Sequence, residues 1–139
     1  MKPVLFVELD GPILIPAHGD DREPLFNAKF ADYAKPFMHW AKEHFDVRVM
    51  TNRHPVDVVR AMEKLSLPGD AVSVVTYDDS KIPHVAPHKD DFYWIDSVLL
   101  PSEVAWLAHH NKIPRVLTVD PEVGVVPLYK QHLEEQLHR

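Results

Sequence analysis

Four short stretches of the sequence carry side chains that can act together on one substrate. Glu8-Leu9-Asp10-Gly11 sets two carboxyl groups two positions apart, before a glycine that lets the chain turn out of extended geometry. Such a pair can bind a divalent metal, or divide into a nucleophile and a general acid/base. Thr51-Asn52 closes an apolar run just before a helix signal at Pro55. A hydroxyl and exposed backbone N–H groups there make an anion site, although the same residues also serve as plain helix caps. Lys89, in His88-Lys89-Asp90-Asp91, can neutralise a phosphoryl group as a point charge, with Lys81 as the alternative. Asp96 ends the apolar run Phe92-Tyr93-Trp94-Ile95, where a carboxylate is costly unless paired or metal-bound.

These groups are useful only if the fold brings them together, and the pattern around them says how. Val4-Leu5-Phe6-Val7 is a continuous apolar run, as a central parallel strand covered on both faces requires. Residues 12–27 mix apolar residues with Pro16, Gly19, Asp20, Asp21 and Pro24, and read as an extended flap or loop. Pro36, Phe37, Trp40, Ala41 and Phe45 mark a helix over 36–45, followed by a strand through Val47, Val49 and Met50. Pro55 opens a second helix, Val72 to Val75 gives a third strand, and 77–91 reads as a polar, proline-bearing loop. Phe92 to Ile95 is a fourth strand, Ser102 caps a helix, Val116 to Val119 is a fifth strand, and Tyr129, Leu133 and Leu137 mark a last helix. Alternating strands and helices predict an α/β protein: a three-layer, Rossmann-like sandwich around a five-stranded parallel sheet. In such folds ligands gather outside the carboxyl ends of the strands, where Glu8, Asp10, Thr51, Asn52 and Asp96 fall.

Composition bounds the rest. The 139 residues suit one domain, and 45% hydrophobic with 26% charged residues is ordinary globular composition. With no cysteine, a disulfide framework, thiol catalysis and Cys-ligated zinc are excluded. The net charge of -6 does not indicate nucleic acid as a partner. The apolar run before Glu8 is too short for a signal peptide or membrane span, so the expectation is a cytoplasmic protein with no membrane partner. The pairs His84/His88 and His109/His110 are set aside as metal ligands; the first lies in a proline-bearing stretch and the second closes a helix, where His is favoured by the dipole.

An acid pair, a hydroxyl, a lysine and a further acid, in this order and at strand ends, resemble the four motifs of the haloacid-dehalogenase-like (HAD) hydrolases. The motifs fall on Glu8-Leu9-Asp10-Gly11, Thr51, Lys89 and Asp96, and the likeness runs over nearly the whole chain. It implies a phosphohydrolase in which Glu8 and Asp10 are catalytic. Thr51, Asn52 and Lys89 hold phosphoryl oxygens, and Glu8, Asp10 and Asp96 hold Mg2+. Positive groups must offset the charge of a transferring phosphoryl group, so the implied roles are physically consistent.

The sequence departs from that pattern in ways that bear on activity. Glu8 stands where the family has its nucleophilic Asp, Pro12 follows the glycine, and Ser97 follows Asp96 where a second acid is common. One extra methylene displaces the attacking oxygen by about 1 Å, a misplacement worth on the order of a hundredfold in rate. Two readings stand: a magnesium-dependent, weak phosphohydrolase, and a non-catalytic HAD-fold binding or regulatory protein. A receiver-like signalling domain is disfavoured, because its acceptor Asp would have to end the third strand. About 40 residues separate the first motif from the second, and core elements consume them, so no large cap is expected. In the family this chain resembles, an open site of this kind suits a phosphorylated, macromolecular substrate or a cap lent by a partner.

Overall fold

The computed structural model describes residues 2–15 and 28–138. The chain begins with β1 (Val4–Glu8), buried at every position, as its unbroken apolar run demands. A tight turn leads to β2 (Leu14–Ile15), which pairs antiparallel with β3 (Lys29–Phe30) as a small separate ribbon. The predicted flap over 12–27 thus has its first residues in a turn and strand, and residues 16–27 lie outside those described. Then follow α1 (Ala34–His44), β4 (Asp46–Thr51), α2 (Pro55–Lys64) and β5 (Ser73–Thr76).

The segment read as a loop over 77–91 is partly helical instead. It holds α3 (Ile82–Val85) and a single 3-10 turn at Ala86–His88. Pro83 and Pro87 sit in the first turns of these elements, where a missing N–H does no harm, so they start helices rather than break them. The chain continues through β6 (Phe92–Asp96), α4 (Pro101–His109), β7 (Val116–Thr118) and α5 (Pro127–Leu137). The α4 terminus is not capped by Ser102. The side chain of Glu103 reaches back to the Leu100 N–H at 2.8 Å and does that work.

Five strands form one parallel sheet in the order β5-β4-β1-β6-β7, flanked by the helices as a three-layer α/β sandwich. The alternation along each strand sorts the core into two faces. Leu5 and Val7 of β1, Val47 and Val49 of β4, and Tyr93 and Ile95 of β6 pack with α1, α2 and α5 through Phe37, Met38, Met62 and Leu133. Phe6, Met50, Phe92 and Trp94 pack on the other face with Val85 of α3 and Leu107 of α4. Among the described residues, no helix is long and apolar enough to cross a membrane.

Candidate functional site

The same alternation aims the site. Glu8 continues the row Val4, Phe6, and Asp96 continues the row Phe92, Trp94, so both carboxyl groups leave their strands on the face covered by α3 and α4. β1 and β6 are adjacent and parallel, which puts the two acids side by side at the carboxyl edge. The turn before α3 crosses that face and delivers Lys81. Its Nζ lies 2.8 Å from Asp96 Oδ2 and 3.6 Å from Glu8 Oε2, and all three residues are buried. The Tyr77 ring lies beneath the ammonium, 4.8 Å from Nζ to the ring centroid. The backbone at Lys81 is fixed too: its N–H donates to Glu103 Oε2 at 2.8 Å, and Glu103 is fully buried.

These neighbours set the protonation states. Glu8 is pushed up to about 8, first by burial and then by the negative charge of Asp96; Lys81 and a hydrogen bond with Tyr77 pull it back only in part. At neutral pH Glu8 is therefore mostly the uncharged acid. Burial draws Lys81 down, but Asp96 and Glu8 outweigh it, so the lysine ends above its ordinary value and stays charged. Tyr77 is raised, by burial and then by Glu8, and stays a neutral phenol.

Asp10 lies beyond the strand and is held separately. The Arg53 guanidinium grips its carboxylate through Nε (3.1 Å to Oδ1, 2.8 Å to Oδ2) and Nη2 (2.8 Å to Oδ1). Arg53 in turn is set by Thr51, whose buried hydroxyl accepts the Arg53 N–H at 2.9 Å. Gly11 makes the turn possible. Its φ of +107° is open to glycine, and a β-carbon there would lie 2.5 Å from Ser97 Oγ, so the turn seats directly on the residue after Asp96.

Of the residues singled out in the sequence, the structure brings Glu8, Asp10, Thr51 and Asp96 to one edge. Asn52 is at the same edge and exposed. Lys89 is not there. It is exposed and lies just before β6 begins, and a residue entering a parallel strand is at the amino edge, a full strand length from Glu8 and Asp96. Lys81, weighed as the alternative, is the lysine found between Glu8 and Asp96. Sequence reasoning missed Arg53, Tyr77 and Glu103. Arg53 directly follows Thr51-Asn52, and Glu103 stands at the third helical position after Pro101-Ser102, a capping-box signal.

The acids do not fit a divalent cation as they are arranged. A carboxylate offers about four lone-pair sites, and those of Asp96 are taken. Oδ1 accepts the Ser97 N–H (2.7 Å) and the Val98 N–H (3.3 Å), while Oδ2 accepts the Trp94 indole N–H (3.1 Å) and faces Lys81 Nζ (2.8 Å). The Asp10 carboxylate is filled by Arg53. Glu8 Oε2 lacks a hydrogen-bond partner, but it belongs to an acid that is mostly protonated at neutral pH, a poor protein ligand for an ion that fills the rest of its shell with water. Among the described residues no group of three His, Asp or Glu side chains is placed to hold a metal ion.

The architecture is a three-layer α/β sandwich around a five-stranded parallel sheet, the fold the resemblance to HAD-like proteins implies. Its fold matches a solved structure described as "The Structure of Fcp1, an essential RNA polymerase II CTD phosphatase", with a TM-score of 0.52 at 14% sequence identity. The match covers 99% of this chain and 50% of that one, so the chain spans about half the neighbour's length. No family model matches the sequence, and no curated protein matches it.

Proposed function

We propose that this chain is a slow phosphohydrolase that cleaves phosphate esters at the Glu8–Asp10 corner. The observation that carries the reading is the buried Glu8–Lys81–Asp96 cluster beside the Arg53–Asp10 pair, all at the carboxyl edge of a HAD-like sheet. The phosphatase named in the structural neighbour's title supports the reaction class and says nothing of this chain's substrate. In this reading an entering phosphoryl group competes with Asp10 for the Arg53 guanidinium, which suits phosphate and carboxylate equally well. Asp10, released from Arg53, is then the general acid. Ionised Glu8 attacks phosphorus, the ester P–O bond breaks, and Asp10 gives its proton to the leaving oxygen. Water next attacks the glutamyl-phosphate, a proton returns to Asp10, and the bond to Glu8 breaks to release phosphate. Lys81 and Arg53 supply the positive charge. The resemblance implies magnesium on Glu8, Asp96 and the Asp10 main-chain carbonyl, but Lys81 already lies between the two side chains, and no step here depends on the metal.

Slowness has two sources. Glu8 is mostly protonated at neutral pH, and its extra methylene misplaces the attacking oxygen by about 1 Å. Hydrolysis of p-nitrophenyl phosphate tests this, run with chelator and with Mg2+. Turnover should be weak, should rise as pH approaches about 8, and should vanish in Asp10→Asn. Glu8→Asp should be faster, by up to about a hundredfold. An inert wild type together with an inert Glu8→Asp variant would reject the reading. We further propose a substrate phosphorylated on a larger molecule, since the core elements leave little chain for a large cap.

A second reading is favoured by the same self-neutralised corner: a HAD-fold protein that binds a phosphorylated partner without turnover. It expects phosphate binding by the wild type with no hydrolysis, and wild-type turnover lost in Asp10→Asn rejects it.

A further inference from the structure

We propose that in the free chain the ammonium of Lys81 takes the place of a divalent cation between Glu8 and Asp96, so that the folded protein excludes Mg2+ from this corner. The inference concerns the same residues as the proposed hydrolysis but does not depend on turnover. Lys81 Nζ faces one oxygen of each acid, Asp96 Oδ2 at 2.8 Å and Glu8 Oε2 at 3.6 Å. A cation bridging those two oxygens would meet a positive charge already between them, bonded to Asp96 and facing Glu8. Lys81 has little freedom to leave. Its backbone N–H is tied to the buried Glu103, its ammonium rests on the Tyr77 ring, and its side chain is buried, so displacement would strand a charge away from water. The remaining positions on Asp96 are filled by the Trp94 indole and the Ser97 and Val98 N–H groups, and Asp10 is held by Arg53. The corner thus carries its own counter-ions.

The Trp94 indole reports on the place directly, because it donates to the same oxygen as Lys81. Mg2+ and Mn2+ are titrated separately into the whole chain in phosphate-free buffer, read by calorimetry and tryptophan fluorescence. The wild type should give no saturable heat and no fluorescence change at millimolar metal. Lys81→Met should bind both ions about tenfold or more tightly, since a unit positive charge has been removed at contact range. Asp96→Asn added to that variant should abolish the gain. Lys81→Gln serves as a second neutral variant, with circular dichroism confirming that each is folded. Saturable wild-type binding that Asp96→Asn removes would overturn the proposal. So would folded Lys81→Met and Lys81→Gln chains that bind metal no better than the wild type. Hydrolysis enters neither measurement, so a failed exclusion of metal and a failed phosphohydrolase reading are told apart.

Discussion

Glu8 titrates near 4.5 in an unfolded chain and is pushed up to about 8 here, chiefly by burial and then by Asp96. Between those values the native protein binds a proton that the unfolded chain lacks. The stability this contributes is fully present below the unfolded value and is lost as pH rises through about 8. Glu8→Gln imitates the protonated acid and should flatten that loss: urea midpoints of the variant should fall less than those of the wild type between about pH 5 and 8. Parallel midpoint curves would show that Glu8 is ionised in the native state. The acids themselves were legible, because each ends an apolar run whose parity fixes where its side chain points. Their partners were not. Lys81, Arg53 and Tyr77 reach the site from turns, where no periodicity constrains direction. Lys89 seemed the better lysine only because closeness in sequence to β6 was read as closeness to Asp96; the direction of a parallel strand says the opposite.

At the scale of elements, the turn after β1 is the most constrained piece of backbone. Gly11 combines positive φ with a seat against Ser97, whose Oγ and Cβ would lie 2.5 and 2.8 Å from an added β-carbon. Gly11→Ala should lose about 1–3 kcal/mol of stability, measured by urea unfolding. Adding Ser97→Gly should restore only the steric part, because the unfavourable φ persists. A neutral Gly11→Ala would show that the turn relaxes. Gly124 is similarly confined, with φ of +75° and the Pro12 carbonyl oxygen 2.7 Å from where its β-carbon would stand. The glycine in Glu8-Leu9-Asp10-Gly11 was readable as a turn from the sequence, but its dependence on Ser97 was not, since that contact joins segments far apart in the chain. The short α3 was hidden for another reason: its prolines announce a break, and only tertiary packing of Val85 shows that they open a helix.

For the whole molecule, the strand order builds outward from β1 in both directions, with parallel neighbours joined through helices. The alternation of elements therefore revealed the sandwich before any contact was known. Stability should be graded the same way. β1 and β6 are buried at every position, whereas β5 and β7 at the edges are half-buried or exposed. Native-state hydrogen exchange should find β1 amides slowest and those of β5 and β7 distinctly faster. Uniform protection across the sheet would contradict that grading.

Glu103 lies outside every motif, yet its two carboxylate oxygens hold the start of α4 at Leu100 and the turn that carries Lys81. The two segments share a single fastener, so they are not independent under mutation. A change at 103 would loosen a helix and a site lysine at once, and a change in the 79–82 turn would be tolerated only where that carboxylate still finds an amide. In homologous lineages these positions are expected to drift together or not at all, so position 103 would carry the history of the site as faithfully as the acids do.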